Sequence, residues 1–295
     1  MLHQLIDHFL DNCRMANFSE RSIQALSARL KELSAYLKKE KCRSLKKVSY
    51  LDLVAFVADF SPQSVHVRKS RIWALRQFYH FLTIYAHVPE NIATNLPYPK
   101  IEKTVPLFLT QNEYKLLLHY FCRKAVDLAG LRNLVIIMLL GTLGLRTSTL
   151  TGLDIQDVDL QCGLLWIKEK GARKRNLVLP GTLCKVLDRY LNMAGRKDGP
   201  LLLSNRKRRI SPRTLQDIFR SAADELGIEK RLHARLFRHS AATHLNKTSG
   251  IEVTRHVLGH HRRANTLKYA HLNPDKYAVY MSLHPYMKKE SPCSP

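Results

Sequence analysis

The stretch LRNLVIIMLLGTLGLRTSTLTGLDIQDVDLQCGLLWIKEKGARKRNLVLP, residues 131–180, holds both kinds of secondary structure and decides the fold class. From Leu131 to Leu140 almost every residue is apolar, so no polar face is left for solvent and the spacing predicts a helix buried all round. Gly141 and Gly144 mark its end. Further on, GLLWIK and NLVLP flank EKGARKR, a pattern that predicts two antiparallel strands joined by a basic hairpin tip. An enclosed helix beside a small sheet describes a mixed domain.

Toward the N-terminus the pattern is purely helical. Ser19 fits an N-cap, and Ile23, Leu26, Leu30, Leu33 and Leu37 then recur at steps of three and four. A second helix is predicted from about Gln63 to Tyr85, with Ile72, Leu75, Tyr79 and Leu82 on its buried side and Arg68, Lys69, Arg71 and Arg76 turned elsewhere. Residues 87–106, HVPENIATNLPYPKIEKTVP, hold four prolines and no periodicity, which reads as a linker. Beyond the hairpin, helical signals run from Thr182 to Met193, Ser211 to Leu226 and Arg238 to Asn246. The expectation is a mainly α, two-domain protein: a helical domain over 1–86, the linker, and a mixed α/β domain over 107–295 with a small antiparallel sheet.

Charge narrows the class of partner. Across 295 residues, 48 Lys and Arg face 24 Asp and Glu, a net +24 that points to a large polyanion rather than a small neutral substrate. The first 104 residues carry 16 basic and 9 acidic side chains and the remainder 32 and 15, so both parts are basic and a polyanion gripped from two sides is expected. The longest apolar run, residues 134–145, is twelve residues and too short to span a bilayer, and no polybasic amphipathic helix offers membrane attachment. The opening MLHQLIDHFL lacks a basic segment and carries Asp7, unlike a signal peptide. Six cysteines without a CxxC pair suit a reducing cytoplasm better than a disulfide framework.

Three clusters could carry chemistry. Arg146 follows the glycine-rich break and is expected to be partly buried, which an ion pair with Asp157 or a helix end would explain equally well. At the hairpin tip Lys168, Lys170, Arg173, Lys174 and Arg175 surround Gly171, either as a solvated turn or as a tip that enters a DNA groove and brings a proton donor. The densest cluster is LHARLFRHSAATHL followed by TRHVLGHHRRANTLKYAHL, where Arg235 and Arg238 share a helical face and could clamp a phosphate. His256 and His260 have zinc-like spacing, but the HExxH glutamate is absent, Gly259 interrupts the helix and neighbouring cations would repel a metal ion. No metal and no cofactor is expected.

Five segments in order, G-L-R at 144–146, K-G-A-R-K-R at 170–175, R-L-F-R-H at 235–239, L-G-H at 258–260 and T-L-K-Y-A-H at 266–271, resemble the motifs of the tyrosine recombinases, or phage integrases. With 24 residues from Arg146 to Lys170 and nine from His260 to Tyr269, the chain looks most like a compact Xer-type or integron-type member. The resemblance extends to the helical first domain, which is similar to the family's core-binding (SAM-like) domain, and it makes the second the catalytic domain.

The resemblance implies a metal-independent, site-specific recombinase that cuts and rejoins DNA through a 3′-phosphotyrosyl intermediate. Arg146 and Arg238 would be the arginines of the active site, Lys170 the hairpin lysine, His260 the residue that assists at the phosphate, and Tyr269 the nucleophile. Arg235 stands where the family usually has His, and Thr149 where many relatives have Glu. Double-stranded DNA is the implied partner, with self-association into a tetramer on paired sites and a C-terminal helix that docks on a neighbouring protomer. Arg235 keeps open a noncatalytic DNA-binding protein on the same scaffold, and a type IB topoisomerase would share the chemistry. Phosphate contacts along the duplex are expected from Arg68, Lys69 and Arg71, and from Arg173, Arg206, Arg209 and Arg213.

The charge distribution generates a first prediction. Each neutralised phosphate contributes a log–log salt slope of about −0.9, and on the order of five or more phosphate contacts per protomer are expected, so duplex affinity should fall steeply between low and moderate salt. A nearly flat salt titration would contradict the two-sided grip.

Overall fold

Ser19 starts a helix because its hydroxyl accepts the Ser22 N–H at 3.3 Å, one of the donors that a helix start leaves without an internal partner. The apolar residues that follow, Ile23, Leu26, Leu30, Leu33 and Leu37, are all buried, as their spacing predicts. The computed structural model describes residues 2–42, 44–59, 64–101, 106–168 and 174–259. It forms two units, Met1–Thr104 and Val105–Pro295. No helix among the described residues is long and apolar enough to cross a membrane.

The first unit contains α1 (Leu2–Met15), α2 (Glu20–Lys39), α3 (Tyr50–Ala58) and α4 (Val65–Ile84). From α1, Ile6, Phe9, Leu10 and Cys13 enter the core, and the Phe9 ring lies 5.4 and 5.5 Å from those of Phe78 and Phe81 on α4. α3 opens with a reciprocal capping box between Ser49 and Asp52 and contributes Leu53 and Phe56.

Two expectations need correction in this unit. Arg71 is not on the solvent side of α4. Leu75, Phe78 and Leu82 follow it four, seven and eleven positions on, which puts it in the buried arc of the helix, and it is 1% exposed. Its Nε donates to Glu32 Oε2 at 2.9 Å and its Nη1 to the Phe56 carbonyl at 3.4 Å, while the guanidinium lies 5.0 Å from the Phe56 ring centroid. Arg71 braces α2, α3 and α4 and has no phosphate-facing position. The segment read as a linker also begins inside the unit, because Val88, Ala93 and Leu96 are core residues. Arg76 Nη2 holds the Leu96 carbonyl at 2.7 Å, and Asn91 Nδ2 donates to the Arg76 carbonyl at 3.3 Å. Three irregularly spaced apolar residues bury surface without producing a period.

The second unit contains α5 (Gln111–Lys124), α6 (Leu128–Leu143), α7 (Thr147–Gly152), β1 (Val158–Asp159), β2 (Leu164–Lys168), β3 (Lys174–Val178), α8 (Gly181–Ala194), α9 (Pro212–Leu226) and α10 (Ala234–Leu258). α6 is the buried helix predicted from the sequence, starting at Asp127, whose carboxylate accepts the Gly130 N–H at 2.7 Å, and packing against α5, α8 and α10. The hairpin of β2 and β3 pairs antiparallel from Leu164 opposite Val178 to Lys168 opposite Lys174. Leu165, Ile167 and Leu177 turn to the core and Trp166 and Val178 to the outside. A third strand, β1, pairs with β2 on its other side. α10 is longer than the sequence pattern shows and breaks at Gly250, whose φ of 81° and ψ of 177° lie in a region essentially reserved for glycine.

The burial of Arg71 generates a prediction that separates bracing from DNA contact. Arg71→Ala should lower the unfolding free energy by about 2 kcal/mol or more, whereas Arg68→Ala should change it by no more than about 0.5 kcal/mol. Denaturation of the two variants checks this, and equal midpoints would restore Arg71 to the surface.

Candidate active site

The site is built where α6 ends. Gly144 caps that helix in the left-handed conformation with φ 57°, which favours glycine, and a Cβ there would stand 2.6 Å from Leu258 Cδ2 and oblige that side chain to move. Two residues later Arg146 is the N-cap residue of α7, with an extended backbone and an exposed side chain, which corrects the expected partial burial. Asp157 instead accepts the Asp154 N–H at 2.9 Å, and Arg146 has no ion pair among the described residues.

Arg238 joins this corner to the end of α10. It is 9% exposed, and its Nη1 donates to the Gly144 carbonyl and its Nη2 to the Leu258 carbonyl, each at 2.6 Å. The break at Gly250 makes this possible: the last turns of α10 come back so that Leu258 packs on Ala242, in a small cluster separate from the main core. A second arginine serves the same helix end. Arg175 on β3 donates through Nη1 to the His256 carbonyl at 2.6 Å and the Val257 carbonyl at 3.0 Å. Carbonyls of a final helical turn lack internal partners and carry the negative end of the helix dipole, so two guanidinium groups are well matched to them. The structure thus brings together the G-L-R corner, the stem of the basic hairpin and both ends of α10.

Arg235 is exposed on the first turn of α10, and its Nε donates to Nε2 of His239 at 3.1 Å. Just before it, His233 caps the helix, its Nδ1 accepting the Leu236 N–H at 2.9 Å. Burial, and then the cations of Arg231 and Arg235, hold the His233 pKa below the usual histidine value, in keeping with a neutral accepting ring. Ser240 and His244 on the same helix bond to backbone groups of Leu109 at 2.8 Å and fix α10 to the strand-like segment before α5.

Lys170, Arg173, His260 and Tyr269, with the expected C-terminal helix, lie outside the described residues. Of the other basic candidates, Arg68 and Lys69 are exposed near the start of α4. Arg206 is exposed in a tight turn closed by the Ser204 N–H on the Arg208 carbonyl at 2.7 Å. Arg213 is exposed and faces Asp217 at 3.5 Å, a weak surface pair. Arg209 is a correction, because its fork already holds the carbonyls of Thr151 and Leu153 and pairs with Asp154. It caps the end of α7 instead of presenting that fork to a phosphate.

Sequence reasoning missed Arg132, which is 5% exposed inside α6 and holds the basic turn through the Leu203 carbonyl at 2.8 Å and Asn205 Oδ1 at 2.9 Å. A lone arginine within an otherwise apolar helix was the available signal. His239 and Arg175 stood inside quoted motifs, but nothing in their spacing named their partners.

Comparison with known proteins follows the same division of the chain. The profile described as "Phage integrase family" matches residues 107–276, and that described as "Phage integrase, N-terminal SAM-like domain" matches residues 6–84. A relative named tyrosine recombinase XerC, from Pelobacter propionicus, is 29% identical over 286 residues, covering 94% of this chain and 93% of its own. The fold is similar to that of the XerH site-specific recombinase bound to its difH substrate, with a TM-score of 0.74, 20% identity and coverage of 94% of this chain and 84% of that one. A lambda integrase tetramer bound to a Holliday junction is similar with a TM-score of 0.70, 16% identity and coverage of 89% and 78%. With more than half of its length matched by the catalytic profile and most of the rest by the N-terminal one, the chain belongs to the phage integrase family, the tyrosine recombinases, which carry out site-specific recombination of DNA.

Proposed function

We propose that this protein binds paired duplex DNA sites as a tetramer and exchanges strands through a covalent bond to Tyr269, without a metal ion. The observation that carries the reading is the position of Arg238. It bonds the carbonyl two residues before Arg146 and the carbonyl two residues before His260, so one side chain links three of the five motif segments. The DNA-bound state of the structurally similar recombinases, one of them a tetramer, supports duplex DNA as partner and four copies as the working assembly. The five described free cysteines suit a reducing cytoplasm.

In this reading the Tyr269 phenolate attacks the scissile phosphorus and the bond from phosphorus to the 5′ oxygen breaks. The departing 5′ oxygen takes a proton from Lys170, and the DNA 3′ end remains esterified to Tyr269. A 5′-hydroxyl of the partner strand then attacks that ester, gives its proton to Lys170 and frees Tyr269, so atoms and charge balance over the cycle. Negative charge grows on the two nonbridging oxygens during each attack, and the guanidinium groups of Arg146 and Arg238 stabilise it. Arg235 adds a third cation that favours the phenolate, but it cannot be a general base because a guanidinium stays protonated. Proton removal from Tyr269 falls to His260 or water.

Two outcomes test the mechanism. Tyr269→Phe should bind duplex within a few fold of wild type yet give no covalent protein–DNA species from a nicked substrate on a denaturing gel. An undiminished adduct would move the nucleophile to another tyrosine, and a wild-type protein that forms none would be a DNA-binding relative without catalysis. Cleavage should also persist in chelator, since arginines and a lysine supply what a metal would otherwise provide. Loss of cleavage in chelator that magnesium reverses would overturn the metal-free scheme.

A further inference from the structure

Arg235 and His239 form a pair that the motif roles leave unused. Arg235 is exposed on the first turn of α10, whereas His239, one turn later, is 9% exposed. The bond from Arg235 Nε to His239 Nε2, 3.1 Å long, exists only when that ring nitrogen carries no proton, which fixes the tautomer with hydrogen on Nδ1. Among the described residues this is the one hydrogen bond of the Arg235 guanidinium. It engages the edge nearest the side-chain stem and leaves the Nη1 and Nη2 fork without a hydrogen-bond partner among the described residues.

We infer that His239 is a positioning residue that holds Arg235 by its Nε, so that the Nη1 and Nη2 fork is offered to the phosphodiester. The inference rests on the proposed role of Arg235 at the scissile phosphate. Arginine is longer than the histidine usual in the family at this place, and with several rotatable bonds it would sample many directions if left untethered. Fixing one edge on a nearly buried ring removes much of that freedom before DNA arrives and leaves a planar pair of donors matched to two phosphate oxygens. The departure at position 235 is thereby accommodated within one turn of helix, by a residue that never touches the DNA.

Single-turnover cleavage of a nicked duplex, with duplex affinity measured alongside, tests the inference. His239→Gln puts an acceptor oxygen where Nε2 was and should cleave within about threefold of wild type, whereas His239→Leu should slow cleavage on the order of tenfold with little change in affinity. If the leucine variant does not fold, His239→Asn serves in its place, because its oxygen stops short of Arg235 and the same slowing is expected. Arg235→Ala with His239→Leu should be no slower than Arg235→Ala alone, and in an Arg235→His background the change at 239 should cost nothing. A His239→Leu penalty that adds in full to that of Arg235→Ala, or a His239→Gln variant as slow as the leucine one, overturns the positioning role. An Arg235→Ala variant that cleaves like wild type removes instead the reading on which the inference rests.

Discussion

The catalytic unit depends on the two bonds that Arg238 makes to backbone carbonyls. A nearly buried guanidinium is costly unless its donors are satisfied, and here the acceptors are Gly144, where α6 ends, and Leu258, where α10 ends. Each acceptor is also at a helix terminus whose last carbonyls lack internal partners, so one side chain meets two needs. The left-handed Gly144 and the break at Gly250 accompany this contact, the first at the acceptor itself and the second within the helix whose last carbonyl is the other acceptor. Arg238 is therefore a structural element of this corner, so a rate measured on its removal would report on folding of the corner as well as on its proposed role at the phosphate.

The same logic divides the protein's positive charge. Arg71, Arg132, Arg175, Arg209 and Arg238 spend their forks on carbonyls or carboxylates inside the protein. Arg68, Lys69, Arg146, Arg206 and Arg213 are exposed. The formal +24 counts both kinds equally, although Arg71, Arg132 and Arg238 keep their charge buried. Ser, Thr and Asp cap the starts of α2, α5 and α6, whereas the donors that the carbonyls at the end of α10 need come from arginine. Net charge thus identifies the class of partner well and the residues that meet it poorly.

What was legible in the sequence follows from periodicity. α2 and α4 could be read because their apolar positions repeat over several turns, α6 because its apolar run leaves no polar face, and the hairpin because two apolar runs flank a basic turn. α3 is nine residues and β1 two, too short for a period to establish itself. In α1 the apolar residues Ile6, Phe9, Leu10 and Cys13 carry a helical period, but over a short terminal segment that also resembles the apolar stretch of a targeting signal. A basic residue on an amphipathic helix is normally solvated, so the place of Arg71 in the buried arc of α4 makes sense only once Glu32, thirty-nine positions away in sequence, and the Phe56 carbonyl supply its acceptors.

The site divides along the same line. Order and spacing of motifs identified the family, and the structure brings three of the five motif segments together around Arg238. Their physical state came from long-range partners that spacing does not encode: Gly144 for Arg238, the α10 carbonyls for Arg175, and Asp154 for Arg209. His239 is the intermediate case, since its i, i+4 relation to Arg235 is visible in R-L-F-R-H but gains meaning only from burial of the ring and exposure of the arginine. Arg238 and Arg175 are held by carbonyls that belong to the protein rather than to DNA, and Arg235 by a ring of its own helix. Arg238, Arg175 and Arg235 are consequently oriented by the protein itself, whereas Arg146 stands exposed at the start of α7, and preorganised charge of the first kind is what the proposed electrostatic role needs.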